Sequence, residues 1–276
     1  MARKIRRRRR LVTVLTVLAV LAVVAFGTPT YFVTLSGFIW DYGGWHPAVA
    51  IMLLLFSLFI GMVAYALVSA PLDNSLGEEC DPQKCLELNM AVLKPHKSNY
   101  HQNCMEAFLF LGDCKSASFY AQQIIATAKQ EKVISGFFVK AVAEYLSGDF
   151  VTMKNSSQMF LSAVASASSG GVSAKARAAY EKMNSLLNLM LAIADGNKEQ
   201  ISTLCKAVEP WNKNKANEGL VNYMKGVGAY LTADKYECVY RLMWVKDIMA
   251  KTVFASRAEE YLKRLSLPES DCQQGV

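Results

Sequence analysis

The stretch AEYLSGDF at residues 143–150 decides the fold, because one helical pattern ends and the next begins within it. Gly148 has the conformational freedom that commonly closes an α-helix, and Asp149 is a preferred cap for the helix that follows. Similar breaks occur as FLFLGD at 108–113, LMLAIADG at 189–196 and GAYLTAD at 228–234. This recurrence predicts a series of antiparallel helices joined by short turns.

The breaks recur at intervals that are typical of stacked helix pairs. The steps between Asp113, Asp149, Asp195 and Asp234 are 36, 46 and 39 residues, and helix pairs of this period form solenoids. Amphipathic patterns between the breaks predict ten helices, at 82–93, 99–111, 114–129, 131–147, 150–168, 173–194, 197–208, 216–232, 234–250 and 252–265. We expect a solenoid of about four helix pairs, with a non-repetitive helical bundle as the alternative.

The helical region resembles the tetratricopeptide-repeat superfamily over about residues 80–265. In the unit at 99–129, Ala117 lies near the small-residue position of the second helix. The stretch DPQKCLEL at 81–88 is similar to the start of a repeat's second helix, with Cys85 where the family usually has Ala. The resemblance implies a concave surface that binds a peptide or a partner helix. Four aromatic residues either line such a groove or belong to the core: Tyr145, Tyr180, Tyr223 and Tyr230.

Two apolar segments near the start predict transmembrane helices. The first has an apolar core from Leu11 to Gly27, with an extension to about Leu35. The second, Ala48 to Ala70, is uncharged and long enough to cross a bilayer. A cleaved signal peptide ending at Gly27 is the alternative for the first segment. Small residues at Ser57, Gly61 and Ala64 share one face of the second helix. That face predicts close packing, either within a two-helix hairpin or between copies in an oligomer.

The charge distribution predicts the orientation of these helices. The basic residues before Leu11 include the run Arg6, Arg7, Arg8, Arg9 and Arg10, whereas the loop before Ala48 has no Lys or Arg. The positive-inside rule places such a basic end in the cytoplasm. The predicted protein is an integral protein of the cell membrane whose N-terminus and C-terminal domain are both cytoplasmic. Its predicted organisation is a basic N-terminus at 1–10, a transmembrane hairpin at 11–70, a linker at 71–80, a helical-repeat domain at 81–266 and a tail at 267–276.

The basic character of the chain is a property of its first residues. The formal net charge is +7, and the first ten residues alone carry seven Lys and Arg side chains. The region that follows the apolar segments is close to neutral. We therefore expect membrane lipid and a protein partner to contact this chain, and no nucleic acid.

A cluster of cysteine and histidine residues is the sharpest candidate for a metal site. Cys80 and Cys85 are separated by four residues, as are His96 and His101, and Cys104 follows. This spacing approaches that of a Cys2His2 zinc site. The alternative is that these thiols are small core residues and that the imidazoles are exposed.

Other signatures of catalysis are missing from the sequence. It contains no phosphate-binding loop of the G-x-x-x-x-G-K-[ST] type, no H-E-x-x-H and no G-x-S-x-G. The expectation is a protein without enzymatic activity or cofactor. The first functional hypothesis is a membrane-anchored scaffold or adaptor that binds a protein partner at the cytoplasmic face. The alternatives are an accessory subunit of a membrane transport or secretion complex, and a zinc-binding module or enzyme.

Overall fold

The structure is a computed structural model that describes residues 55, 56, 59 and 70–266. The chain divides into two compact units, Met1–Leu72 and Asp73–Val276. In the first unit, the described residues are helical. In the second unit, residues 73–77 are helical as well. The sequence predicts a polar linker there.

Ten α-helices follow between Pro82 and Ser266, and they pack mainly in adjacent pairs. This arrangement is all-α and compatible with a helical repeat. The helices are α1 (Pro82–Val92), α2 (Ser98–Leu111), α3 (Cys114–Thr127), α4 (Gln130–Ser147), α5 (Phe150–Ser169), α6 (Ala174–Ala194), α7 (Lys198–Ala207), α8 (Lys215–Leu231), α9 (Lys235–Ile248) and α10 (Val253–Ser266). Each predicted helix is present, and every boundary agrees within two residues.

The prediction of two transmembrane helices requires correction, and so does the integral membrane location. Within the described residues, no helix combines the length and the apolar character that crossing a bilayer requires. The longest of the ten helices, α6, has 21 residues, but it carries Lys175, Arg177 and Glu181, which are costly in lipid. Within the described residues the fold class is therefore all-α, and no transmembrane span is found there.

Several predicted features lie outside the described residues. They are the first apolar segment at 11–35, most of the second at 48–70, the arginines Arg6, Arg7, Arg8, Arg9 and Arg10, the packing residues Ser57, Gly61 and Ala64, and the tail at 267–276.

Four turns with the same backbone geometry join the helices into pairs. In each turn, a residue with positive φ ends the first helix, and the next residue caps the second helix with its side-chain oxygen. The positive-φ residues are Gly112 at 81°, Gly148 at 79°, Gly196 at 68° and Ala233 at 62°. The capping residues are Asp113, Asp149, Asn197 and Asp234, whose oxygens accept hydrogen bonds at 3.0, 3.1, 3.1 and 3.1 Å from the backbone N–H three residues later. The paired helices are thus α2 with α3, α4 with α5, α6 with α7, and α8 with α9.

The first helices of these pairs form a second set of contacts. Helices α2, α4, α6, α8 and α10 contact one another in that order, and α10 also contacts α2. Phe254 of α10 is fully buried, and its ring centroid lies 5.3 Å from those of Phe110 in α2 and Tyr223 in α8. Arg257 Nη2 donates a 2.8 Å hydrogen bond to the carbonyl of Leu146 near the end of α4. The row of first helices therefore closes on itself through α10.

The positive φ shared by Ala233 and Gly148 predicts opposite effects for the reverse exchanges at these two equivalent positions. A side chain at positive φ costs about 1 kcal/mol, which is partly offset because glycine adds freedom to the unfolded chain. We expect Ala233→Gly to raise the free energy of unfolding by about 0.5 kcal/mol. Gly148→Ala should lower it by about 1 kcal/mol, since an added Cβ there meets no atom within 4 Å. Urea unfolding followed by circular dichroism measures both, and changes of equal sign would contradict the strain.

The closing contact at Phe254 predicts a large loss of stability on truncation. Phe254→Ala removes a fully buried ring from between α2 and α8, and we expect a cost of about 3–5 kcal/mol. Tyr236→Ala is the control, because Tyr236 is 82% exposed, and it should change stability by less than about 0.5 kcal/mol. Similar losses in the two variants would show that α10 does not contribute this packing energy.

Candidate functional site

The predicted metal ligands are not gathered into a coordination sphere. Within the described part of the chain, no group of three or more His, Cys, Asp or Glu side chains is placed to hold a metal ion. Cys80 and Cys85 are buried, whereas His96 lies exposed in the turn before α2. The ring of His101 packs against Tyr120 at a centroid distance of 5.8 Å. These residues carry no metal proposal.

The six described cysteines are unpaired thiols whose pKa is raised, chiefly by burial. Burial raises the pKa of Cys85 to about 12 and that of Cys80 to about 11. Cys104 is also buried, and its sulfur accepts a hydrogen bond of 3.1 Å from Asn89 Nδ2. At neutral pH these side chains remain protonated, and the thiolate is the form that attacks substrates or binds metals.

The tyrosines considered for a groove lie largely inside the structure. Tyr180 and Tyr223 are buried, and Tyr145 is half-buried. Burial raises the pKa of the Tyr145 and Tyr223 hydroxyls, and the Arg257 guanidinium acts on both of them. Because Arg257 also donates to the Leu146 carbonyl, this cluster contributes to the closure through α10. It is therefore a structural cluster rather than an open binding surface.

The solvent face of α9 carries a continuous apolar stripe. Tyr236, Val239, Tyr240 and Met243 are 82%, 37%, 55% and 42% exposed. Their spacing of three and four residues places them within an arc of about 100° and over about 10 Å of the helix axis. By contrast, the exposed apolar residues of α5, such as Phe150, Val151 and Met159, are spread around that helix. The α9 stripe is therefore the most concentrated apolar surface on a described helix.

The opposite face of α9 holds the helix firmly in the core. Cys238, Leu242 and Val245 are fully buried. A Cβ atom added to Gly226 of α8 would lie 2.6 Å from Leu242 Cδ2, so α8 and α9 approach closely at this point. The α9 stripe is thus presented on a rigid support.

Arg241 fixes the position of α9 further. Its guanidinium donates to Glu237 Oε1 at 2.7 Å and to Asn222 Oδ1 of α8, also at 2.7 Å. The same guanidinium lies 5.4 Å from the ring centroid of Tyr240. The Tyr240 ring therefore has a cationic neighbour over it, while 55% of the residue remains exposed.

The α9 stripe is not among the sites that the sequence predicts. Apolar residues at helical spacing are usually core residues, and α9 has such residues on both sides. The sequence does contain a signal for the stripe: KYECVYRLMWVKDI at 235–248 has more apolar residues than one buried helix face can accommodate.

Glu144 is a buried ionisable group between α4 and α5. Glu144 is 7% exposed, and its Oε2 atom has no hydrogen-bond partner among the described residues. Lys140 Nζ lies 3.7 Å from Oε1. Burial raises the pKa of Glu144, although Ser156 and Lys140 act in the opposite direction.

The raised pKa of Glu144 predicts a pH dependence of stability. The folded chain retains the Glu144 proton at pH values where the unfolded chain has lost it, so this group's contribution is lost as pH rises through the folded pKa. Glu144→Gln keeps the shape and removes the titration. We expect the variant to gain stability relative to the wild type between pH 4.5 and pH values above the folded pKa. Thermal unfolding across this range measures the difference, with the exposed Glu181→Gln as control, and a constant difference would contradict the prediction.

Comparison with known proteins gives no match to the chain, whether with protein-family models, curated proteins or solved structures.

Proposed function

We propose that the helical domain is a protein-binding module, similar to a tetratricopeptide repeat, whose binding surface is the solvent face of α9. The observation that carries this proposal is the α9 stripe formed by Tyr236, Val239, Tyr240 and Met243. Tyrosine and methionine are enriched in protein interfaces. Side chains at i, i+3, i+4 and i+7 are also the pattern through which helices recognise one another.

Because the row of first helices is closed, the proposed binding surface lies on the outside of the domain. The resemblance to tetratricopeptide repeats implied a ligand on the inner surface. However, Phe254 and Arg257 bring α10 against the first helices of the pairs. The second helices of the pairs, in contrast, carry most of the exposed large apolar residues. Among these helices, α9 alone has them in one stripe.

The proposed role is binding without catalysis. The described thiols are held in the protonated form, and the guanidinium beside the α9 stripe is engaged in packing the helix. Arg241 uses its donors on Glu237 and Asn222. A surface of this kind supplies shape and apolar contact rather than an activated nucleophile or base.

The proposal is tested by placing a charge in the centre of the stripe of the full chain. Tyr240→Glu should reduce retention of a binding partner at least about tenfold, since tyrosine is enriched among the few interface residues whose truncation costs about 2 kcal/mol or more. Val151→Glu is the matched control, because Val151 is 75% exposed on α5. Affinity capture followed by quantitative mass spectrometry measures retention, and the thermal unfolding of both variants verifies that they fold.

A photoreactive benzophenone side chain in place of Tyr240 makes the test independent of stability. It should form crosslinks to the same partner, while the same group at position 151 should not. If the partner is retained equally by the wild type and by Tyr240→Glu, or if no partner depends on the stripe, the proposed function is wrong.

A further inference from the structure

One edge of the α9 stripe has an uncompensated positive charge. Lys235 and Lys246 are exposed, and neither makes an ion pair or side-chain hydrogen bond among the described residues. Helical geometry places both about 70–90° from the centre of the stripe, on the same side. They are separated by about 16 Å along the axis, which is three turns.

The other edge of the stripe is different. Glu237 and Arg241 lie on that side and neutralise each other through their 2.7 Å ion pair. Asp247 is exposed at the end of the stripe, about 30° from its centre. The surface is therefore asymmetric: an apolar strip has two free ammonium groups along one side, a paired charge along the other, and the single carboxylate of Asp247 at its end.

We propose that the α9 stripe binds an amphipathic helix of a partner protein that carries carboxylates along one edge of its apolar face. Two of these carboxylates, about three turns apart, pair with Lys235 and Lys246. This inference rests on the proposed function and specifies the chemistry of the partner. Charges at the rim of an apolar interface fix the register and orientation of the bound helix.

The same charges disfavour a second copy of this chain as the occupant. In an antiparallel pair of helices, residues on the same side of the two apolar faces oppose one another. Pairing the stripe with itself, so that Tyr236 faces Met243, brings Lys235 of one copy towards Lys246 of the other. Like charges in this position weaken association, whereas a partner with carboxylates gains from both lysines.

The test is charge reversal combined with zero-length crosslinking. In the full chain, Lys235→Glu with Lys246→Glu should lower retention of the α9-dependent partner about tenfold at low salt. The loss should shrink at high salt, because exposed charges are screened. The matched control is Lys198→Glu with Lys206→Glu on α7, since these exposed lysines likewise occupy the first position and the last turn of a second helix. The control should retain the partner.

A carbodiimide, which joins an amine directly to a carboxylate, identifies the contacts. It should link Lys235 and Lys246 to Asp or Glu residues of one partner helix. Lys235→Arg with Lys246→Arg should abolish these links and retain binding, because arginine keeps the charge but does not form the amide.

The outcomes separate this inference from the proposed function. If the charge-reversed chain retains a partner that Tyr240→Glu loses, the stripe binds protein but the acidic partner is wrong. Carbodiimide crosslinks from Lys235 and Lys246 to a second copy of this chain would show self-association, and the acidic partner would then be wrong. If no partner depends on Tyr240, both proposals fail.

Discussion

The capped turn between paired helices is the constraint on which the rest of this structure depends. A residue at positive φ turns the chain away from the first helix, and the next side chain satisfies a backbone N–H that the second helix leaves unbonded. Because the two residues are adjacent, the helices they join are antiparallel neighbours. The packing of each pair follows from this local geometry. Asp149 and its equivalents therefore fix where each second helix begins against its partner.

Closure through α10 then determines which surfaces remain for binding. Phe254 contacts rings from α2 and α8, and Arg257 stabilises the carbonyl end of α4 through Leu146. With the first helices engaged on one another, the second helices face solvent. The α9 stripe is a consequence of this division, since α9 uses Leu242 to pack on α8 and still has four apolar side chains on its other face.

The helices and their ends were predictable because their signals are local. Gly148 and Asp149 mark a boundary within two residues, and the structure places the boundary there. The third turn shows the limit of such signals: the sequence pattern predicts Asp195 as the equivalent residue, but the cap is Asn197, after Gly196 at positive φ. Both residues are common in turns, and only the backbone conformation distinguishes them.

The long-range features could not be predicted in this way. The contact between Phe110 and Phe254 joins residues at opposite ends of the domain, and no periodicity in either segment indicates it. The placement of the predicted metal ligands is a further example, because spacing along the chain does not show that Cys85 is buried while His96 is exposed. The α9 stripe was similarly hidden, since apolar periodicity alone does not tell a buried face from an exposed one.

A closed row of helices also changes how the domain folds. An open array of repeats gains stability one neighbour at a time and tolerates partial folding. Here the last helix completes the packing of the first pair, so a nascent chain lacks that contact until the residues of α10 have been synthesised. The domain should therefore acquire its native order in one cooperative step late in translation, with the slower kinetics that sequence-distant contacts impose.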